Sequence, residues 1–228
     1  MTLVTVLVPT TGRAQQARER LSALVSQPLP DGVDLLVVAA IPINDDSTLA
    51  ALIDINGLYL VSRPSHSTAV DGWSIASLAA RRLNPPPDWY VLGADDIVWG
   101  EGWLAEALRV AFLTGAHVIG LSDGGHTDLE KYAPHYMVSR QWLDEQMNGC
   151  IAPLAYQSWW FDREVCERAQ SLGMYAAAPD AVLDHHHPDW GKATLDETYR
   201  DALRAHDEDK AVYLARQKEW ALKGVALH

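Results

Sequence analysis

The stretch Asp88-Trp89-Tyr90-Val91-Leu92-Gly93-Ala94-Asp95-Asp96-Ile97-Val98-Trp99 decides the reading of this chain. A run suited to a strand ends in two adjacent carboxylates, Asp95 and Asp96. Gly100 and Gly102 then mark a turn, and Trp103 to Leu113 reads as a helix. Carboxylates at the carboxyl end of a strand lie where open α/β sheets receive ligands. Two of them suit a hard divalent cation, which commonly holds substrate phosphates. The same pair would also serve as a plain turn start, because Asp favours turns.

Around this stretch the chain alternates. Leu3 to Val8 is an apolar strand and Ala14 to Val25 a helix. Val33 to Ile41 is too continuously apolar to face water. Asp45-Asp46-Ser47 caps a short helix over Thr48 to Ile53, and Leu58 to Ser62 is a third strand. Ala69 to Leu83 reads as helix, ended by Pro85-Pro86-Pro87, and Val118 to Leu121 as strand. This order predicts an α/β fold, a mostly parallel sheet with helices on both faces. Asp123 to Pro134 is polar and suits a mobile loop over a site. Tyr136 to Met147 mixes a short strand with a helix. Asp162 to Leu172 is a helix with Asp162 as N-cap and Gly173 beyond its end. Pro179 to Leu183 is a last strand feeding Asp184-His185-His186-His187-Pro188. Leu195 to Lys223 is a charged helix with apolar Leu203, Val212, Leu214 and Trp220. The expected division is therefore 1–194 as the main domain and 195–228 as a helical extension that packs on it or makes a homodimer.

Composition narrows the function. The 228 residues carry a net charge of -12, which opposes tight binding to a phosphate backbone. No apolar run approaches the roughly 20 residues of a membrane span. MTLVTVLVPTTGR lacks a basic segment before its apolar run and reads as a strand rather than a signal peptide. Cys150 and Cys166 have no zinc or redox spacing, so a reducing cytoplasm is the expected compartment. Nine tryptophans against two phenylalanines suit stacking on sugars and bases as well as core packing.

Three constellations carry chemistry. The turn Pro9-Thr10-Thr11-Gly12-Arg13 offers amides, hydroxyls and a guanidinium for a nucleotide. No GxGxxG follows the first strand and no GxxxxGK[ST] occurs, which excludes the usual dinucleotide and P-loop sites. Asp95 and Asp96 with His185 and His187, which share one side of an extended segment, make a donor set for Mn²⁺ or a similar ion. Tyr156 to Glu164 sets aromatics, including Trp159 and Trp160, before an acidic helix start, so that an acceptor would stack beside a general base. Asp162 is better placed than Glu164 for that role, although N-capping alone would explain an Asp there. The helix field would hold its pKa low.

Taken in order, these motifs resemble the nucleotide-sugar glycosyltransferases of GT-A fold, family 2-like, over about 190 of 228 positions. VTVLVPTTGR resembles that family's first strand and nucleotide loop, and GWSIASLAARR the helix before its metal strand. WYVLGADDIVWGEGWL is similar to the DxD-type metal strand and the helix after it. HYMVSRQWL resembles the segment before the acceptor loop. SWWFDREVCERAQSLG resembles the helix start bearing the base, and AVLDHHHP the closing strand with its metal-side histidine. The resemblance implies inverting transfer of a hexosyl or pentosyl group from a nucleotide-sugar donor to a hydroxyl. Mn²⁺ or Mg²⁺ is the cofactor, Asp95, Asp96, His185 and His187 its ligands, and Asp162 or Glu164 the base. The donor site is Pro9, Thr10, Thr11, Gly12, Arg13, Ser74, Ala94 and Asp95, and Trp159 and Trp160 form the acceptor wall. Gly93 departs from the pattern, standing where the metal motif's first Asp belongs. Ala39 and Ala40 replace an acidic pair, and Ser74 an Asn. Similar compact proteins occur in bacteriophages, where some are thought to modify hydroxylated DNA bases in the host cytoplasm; protein and glycan acceptors fit the charge better. The competing functions are a metal-dependent nucleotide-sugar or phosphoester hydrolase and a non-catalytic nucleotide-sugar-binding module.

Overall fold

The computed structural model describes residues 1–222. The first strands and helices follow the hydrophobic pattern closely: β1 Thr2–Pro9, α1 Ala14–Val25, β2 Val33–Pro42, α2 Asp46–Leu52, β3 Leu58–Arg63, α3 Ala69–Ala80 and β4 Trp89–Leu92. Caps set the helix starts. Asp45 accepts from Thr48 N at α2, and Thr68 and Asp71 form a reciprocal capping box at α3. The helix expected to reach Leu83 stops at Ala80, with Arg81 as its cap, short of the proline run.

The second half is less regular. It contains β5 Ile97–Trp99, α4 Trp103–Thr114, β6 Val118–Ser122, β7 His135–Ser139, α5 Arg140–Gln146, α6 Phe161–Ser171, β8 Tyr175–His185 and α7 Glu197–Leu222. The eight strands order as β3-β2-β1-β4-β7-β6-β8-β5. The parallel series β3-β2-β1-β4 is as expected, but β7 inserts antiparallel between β4 and β6. The sheet is therefore mostly parallel in four pairings and antiparallel in three.

The alternation of side chains along β1 splits the core. Val4, Val6 and Val8 meet α1 and α4 through Leu21, Leu24, Trp103 and Leu104. Leu7, Tyr90 and Tyr136 meet α3, α5 and α6 through Trp73, Trp142, Phe161 and Val165. Trp73, Trp99, Trp103 and Trp142 are buried, so these four tryptophans are core.

Two departures from expectation shape the site. Ile97–Trp99, to which the sequence pattern assigned no element, is a strand, and it pairs antiparallel with β8, which starts four residues before the expected Pro179. Ile97 lies opposite His185, and His186 N donates to Asp96 O at 2.9 Å. The pairing lays the histidine run directly beside Asp95 and Asp96. The second departure is α6, whose N-cap is Trp160 rather than Asp162, with Trp160 in the left-handed region at φ 67°. Asp162 sits inside the first turn.

Helix α7 keeps only part of the stripe its apolar residues suggested: Val212 packs against the core. Leu203 and Leu214 are 48% and 45% exposed, while Ala205, Asp209 and Tyr213 are buried. Lys223 and the rest of the chain to residue 228 lie outside the described residues. Among the described residues no helix is long and apolar enough to cross a membrane.

Candidate active site

The site forms where β1 and β4 end side by side, with Val6 against Val91 and Leu7 against Leu92. Beyond them Thr10 donates its hydroxyl to Asp95 Oδ2 at 2.6 Å. Arg13 reaches Asp95 Oδ1 at 3.1 Å and Asp96 Oδ2 at 3.5 Å. The other side of its guanidinium holds Asp196, which precedes α7, through Nε at 2.7 Å and a second nitrogen at 3.0 Å. The Tyr199 ring lies 4.5 Å from the guanidinium carbon. Burial alone would lower the Arg13 pKa, but Asp196, Asp95 and Asp96 outweigh it and hold the pKa above the ordinary arginine value. Arg13, expected to meet a phosphate, is thus an internal brace between three carboxylates.

Gly93 explains the missing first acid of the metal motif. A Cβ there would come within 2.6 Å of Val6 Cγ1 and 3.2 Å of Trp99. A side chain longer still would have to displace the core under β1, so the motif begins at Asp95 for steric reasons. Trp73 Nε1 fixes the same peptide by donating to Gly93 O at 2.7 Å.

Asp95 and Asp96 are both buried, yet they titrate in opposite directions. Burial and the charge of Asp96 push Asp95 up, with Arg13 and Thr10 only partly compensating. Burial also acts on Asp96, but the His185 ring, the Tyr199 hydroxyl and Arg13 pull it below the ordinary carboxylate range. Tyr199 donates to Asp96 Oδ2 and, at 3.1 Å, to His186 O. Among the described residues Asp96 Oδ1 is buried with no hydrogen-bond partner, and it faces His185 Nε2 at 3.4 Å.

The histidines divide as an extended segment requires. His185 and His187 share a side, with ring centroids 5.4 Å apart, while His186 turns to Asp184 and Arg20. His187 is not brought to a carboxylate of the pair: its Nδ1 accepts from Asp189 N at 3.3 Å, and burial lowers its pKa. Behind His185 stands His135, whose ring bridges to Leu92 O and His185. Burial lowers the His135 pKa to about 3. Among the described residues no group of three or more His, Cys, Asp or Glu side chains forms a metal cage.

The acidic helix start is also divided. Glu164, offered as a second base, is 1% exposed and anchors α7 instead. Arg216 grips both its oxygens at 2.7 Å, and Tyr156 donates to it at 2.5 Å. Burial raises Glu164, but Arg216 and Tyr156 outweigh it and leave its pKa lowered. Among the described residues Asp162 has no such partner. Burial pushes it up to about 6, against the weaker pull of the Arg163 and Asp162 amides. Desolvation therefore wins over the helix field that was expected to keep it low.

Between these centres runs the loop carrying Trp159 and Trp160. Asp209 of α7, 1% exposed, accepts from Gln157 N, Ser158 N and Trp159 N at 2.8 to 2.9 Å. Trp159 Nε1 donates to Ala202 O at 2.7 Å, and its ring meets His187 at 6.1 Å between centroids. Trp160 packs on Tyr213 at 5.4 Å. Both rings are half-buried.

The remaining donor-site expectations scatter. Pro9 ends β1, Thr11 and Ala94 are half-buried, and Gly12 N donates to Asp45 Oδ2 at 2.8 Å. Four hydrogen bonds, from Gly12, Thr48 and Ser47, outweigh desolvation and lower Asp45 to about 2. Ser74 donates to Ala152 O at 3.4 Å and lines a cleft of about 710 Å³ with Ile43, Pro64, His66, Ile75 and Leu154.

Sequence reasoning missed Asp196, Tyr199, Asp209 and His135. The first three lie in or next to a helix read by its apolar residues. His135 opens a segment noted for resemblance without a role.

No family model matches the chain, and no curated protein is similar to it in sequence. Solved structures do match. A mannosyltransferase from Pyrobaculum calidifontis, in complex with GDP-Man and Mn²⁺, superposes with a TM-score of 0.62 at 18% identity, over 98% of this chain and 72% of that one. TarS 1-349 of S. aureus in complex with UDP gives 0.63 at 15% identity, over 80% of this chain and 59% of that one. Glucosyl-3-phosphoglycerate synthase of Mycobacterium tuberculosis, in complex with phosphoglyceric acid, gives 0.55 at 17% identity, over 89% and 77%. The chain has the GT-A fold that its motifs led us to expect.

Proposed function

We propose that this protein is a metal-dependent glycosyltransferase that moves a sugar from a nucleotide-sugar donor to an acceptor hydroxyl with inversion. The observation that carries the reading is the buried, unpartnered Asp96 Oδ1 facing His185 Nε2 at the carboxyl edge of the sheet. Solved structures of the same fold were obtained with GDP-Man and Mn²⁺ and with UDP-GlcNAc. An oxygen and an imidazole nitrogen suit Mn²⁺. Two protein donors suffice for a cation that shares its remaining positions with substrate phosphates. The absence of a complete protein cage therefore fits this use.

Asp96 and His185 would hold the ion, with Asp95 beside them. When bound, Mn²⁺ or Mg²⁺ neutralises charge on the departing diphosphate. Arg13 and Thr10 keep Asp95 in place, and the loop 9–13 and the apolar cleft by Ile43 and His66 offer a seat for the nucleoside end. Asp162, raised toward neutrality by burial, takes the proton from the acceptor hydroxyl. The hydroxyl oxygen bonds to the anomeric carbon as the bond from that carbon to the diphosphate oxygen breaks. Trp159 and Trp160 border the acceptor, and the net charge of -12 favours a sugar or protein side chain over a polyanion.

A thermal-shift panel of nucleotide sugars with and without Mn²⁺ tests the reading. Stabilisation that needs both donor and metal is expected. Stabilisation by donors with no metal effect would remove the cation, and none by any donor would remove the function. Donor cleavage without dependence on any acceptor would favour the hydrolase.

A further inference from the structure

The imidazoles behind the carboxylates determine which atom of His185 faces Asp96. His135 is 4% exposed, and among the described residues its ring nitrogens hydrogen-bond only Leu92 O and His185. Nδ1 lies 3.1 Å from Leu92 O, and a carbonyl only accepts, so Nδ1 carries a proton. A second proton would leave a buried charge without an anion in hydrogen-bond contact, which is costly. The other nitrogen, Nε2, is therefore a bare lone pair. It lies 3.2 Å from His185 Nδ1, which must donate to it. A neutral His185 that donates from Nδ1 has its own lone pair on Nε2. That atom is 3.4 Å from Asp96 Oδ1, itself an acceptor with no partner. Two acceptors turned toward each other in a buried site repel unless a positive charge lies between them: in the metal-free protein a proton on His185 Nε2, facing Asp96 Oδ1, supplies it, and a divalent cation would take that proton's place.

We propose that His135 is a positioning residue that locks His185 in its Nδ1–H tautomer and aims the Nε2 lone pair, together with Asp96 Oδ1, at a divalent cation. The proposal rests on the reading of Asp96 and His185 as a cation site. Its geometry comes from the insertion of β7 beside β4, which puts His135 level with the end of β4, and from the β5–β8 pairing, which puts His185 beside Asp96. Outer-shell partners of this kind are worth about 10- to 100-fold in metal affinity.

The test has two independent arms. Long-range ¹H–¹⁵N spectra of the metal-free protein, with His185 assigned through H185Q, report which ring nitrogen is protonated. A proton on Nδ1 is expected, with or without a second one on Nε2; an Nδ1 that carries no proton overturns the lock. Mn²⁺ titration followed by electron paramagnetic resonance, with UDP or GDP present, then compares wild type with H135F and H135Q. His135→Phe removes both hydrogen bonds and is expected to weaken Mn²⁺ binding by about 10- to 100-fold. The carboxamide of His135→Gln can donate to Leu92 O and accept from His185, so it is expected to restore most of the affinity. Equal Mn²⁺ affinity in wild type and H135F overturns the positioning role and leaves the cation site intact. A wild-type protein with the expected tautomer that takes up no Mn²⁺ supports the lock and removes the cation reading, so the two failures differ. The wild-type spectrum decides the tautomer even if H135F does not fold.

Discussion

Two pairs of acids, Asp95/Asp96 and Asp162/Glu164, are built on one plan. In each pair one member is tied down and the other is left raised. Asp96 is lowered by partners that include Tyr199, and Glu164 by Arg216 and Tyr156. Both Tyr199 and Arg216 come from α7. Their neighbours Asp95 and Asp162 are raised by burial. The difference lies in what surrounds the raised member. Asp95 sits among Thr10, Arg13 and Asp96, while among the described residues Asp162 has only backbone amides of its own helix turn. A raised acid inside an ion cluster is held in place; a raised acid without side-chain partners is free to exchange a proton. This contrast is why we assign the base role to Asp162 and not to Glu164 or Asp95.

The contrast can be broken most severely at Asp162. Replacing it with Asn should lower kcat by about 10²- to 10⁴-fold while leaving the donor dissociation constant unchanged. Arg216→Met attacks the other member of that pair. It leaves Glu164 buried with Tyr156 and the more distant Arg168 at 3.5 Å, and should cost about 2 kcal/mol in urea unfolding. The figure is reduced from that of a fully buried pair because Arg216 is 35% exposed. Loss of activity without loss of stability in that variant would contradict the anchoring role of Glu164.

The pH dependence sharpens the same comparison. Asp162 acts as a base only when ionised, so kcat should fall about tenfold per pH unit below its value of about 6, and the limb should be missing from residual D162N activity. Stability moves the other way. The folded pKa lies above the ordinary aspartate value of 3.8, so the folded state binds the proton more tightly and loses stability as pH rises from 3.8 to about 6. At pH 8 the D162N protein escapes that loss. Asp162 is partly exposed to solvent, which trims the expected gain to about 1 kcal/mol in unfolding free energy. Tyr199→Phe probes the opposite pair. Removing one donor from a charged acceptor should weaken Mn²⁺ and donor binding by about 1 kcal/mol in calorimetric titration.

The parts of the molecule that repeat a local pattern were readable from sequence. Strands β1 to β3 and helices α1 and α2 follow from apolar runs, caps and turn residues, and Asp95 and Asp96 from their place at a strand end. What could not be read depends on pairing between distant segments. Nothing local in Ile97-Val98-Trp99 says that it pairs with Leu183–His185, and nothing local in His135 says that β7 enters beside β4. Helix α7 misled for a related reason. Its inward stripe includes Asp209 and Arg216, polar groups whose partners are backbone amides and a buried carboxylate elsewhere. An apolar pattern cannot reveal a helix that packs through such groups, so Leu203 and Leu214 drew attention while facing solvent. Gly93 is the converse case: its departure from the motif was visible, and the crowding by Val6 and Trp99 that enforces it was not.

The account is tested most directly by incubating wild type and D162N with a mixture of nucleotide sugars, Mn²⁺ and candidate hydroxyl acceptors, and reading the acceptors by mass spectrometry. Glycosylated acceptor with wild type, and none above background with D162N that still binds donor, is the predicted result. Equal product from both proteins would contradict the assignment of Asp162, and nucleoside diphosphate release with no sugar on any acceptor would contradict transfer itself.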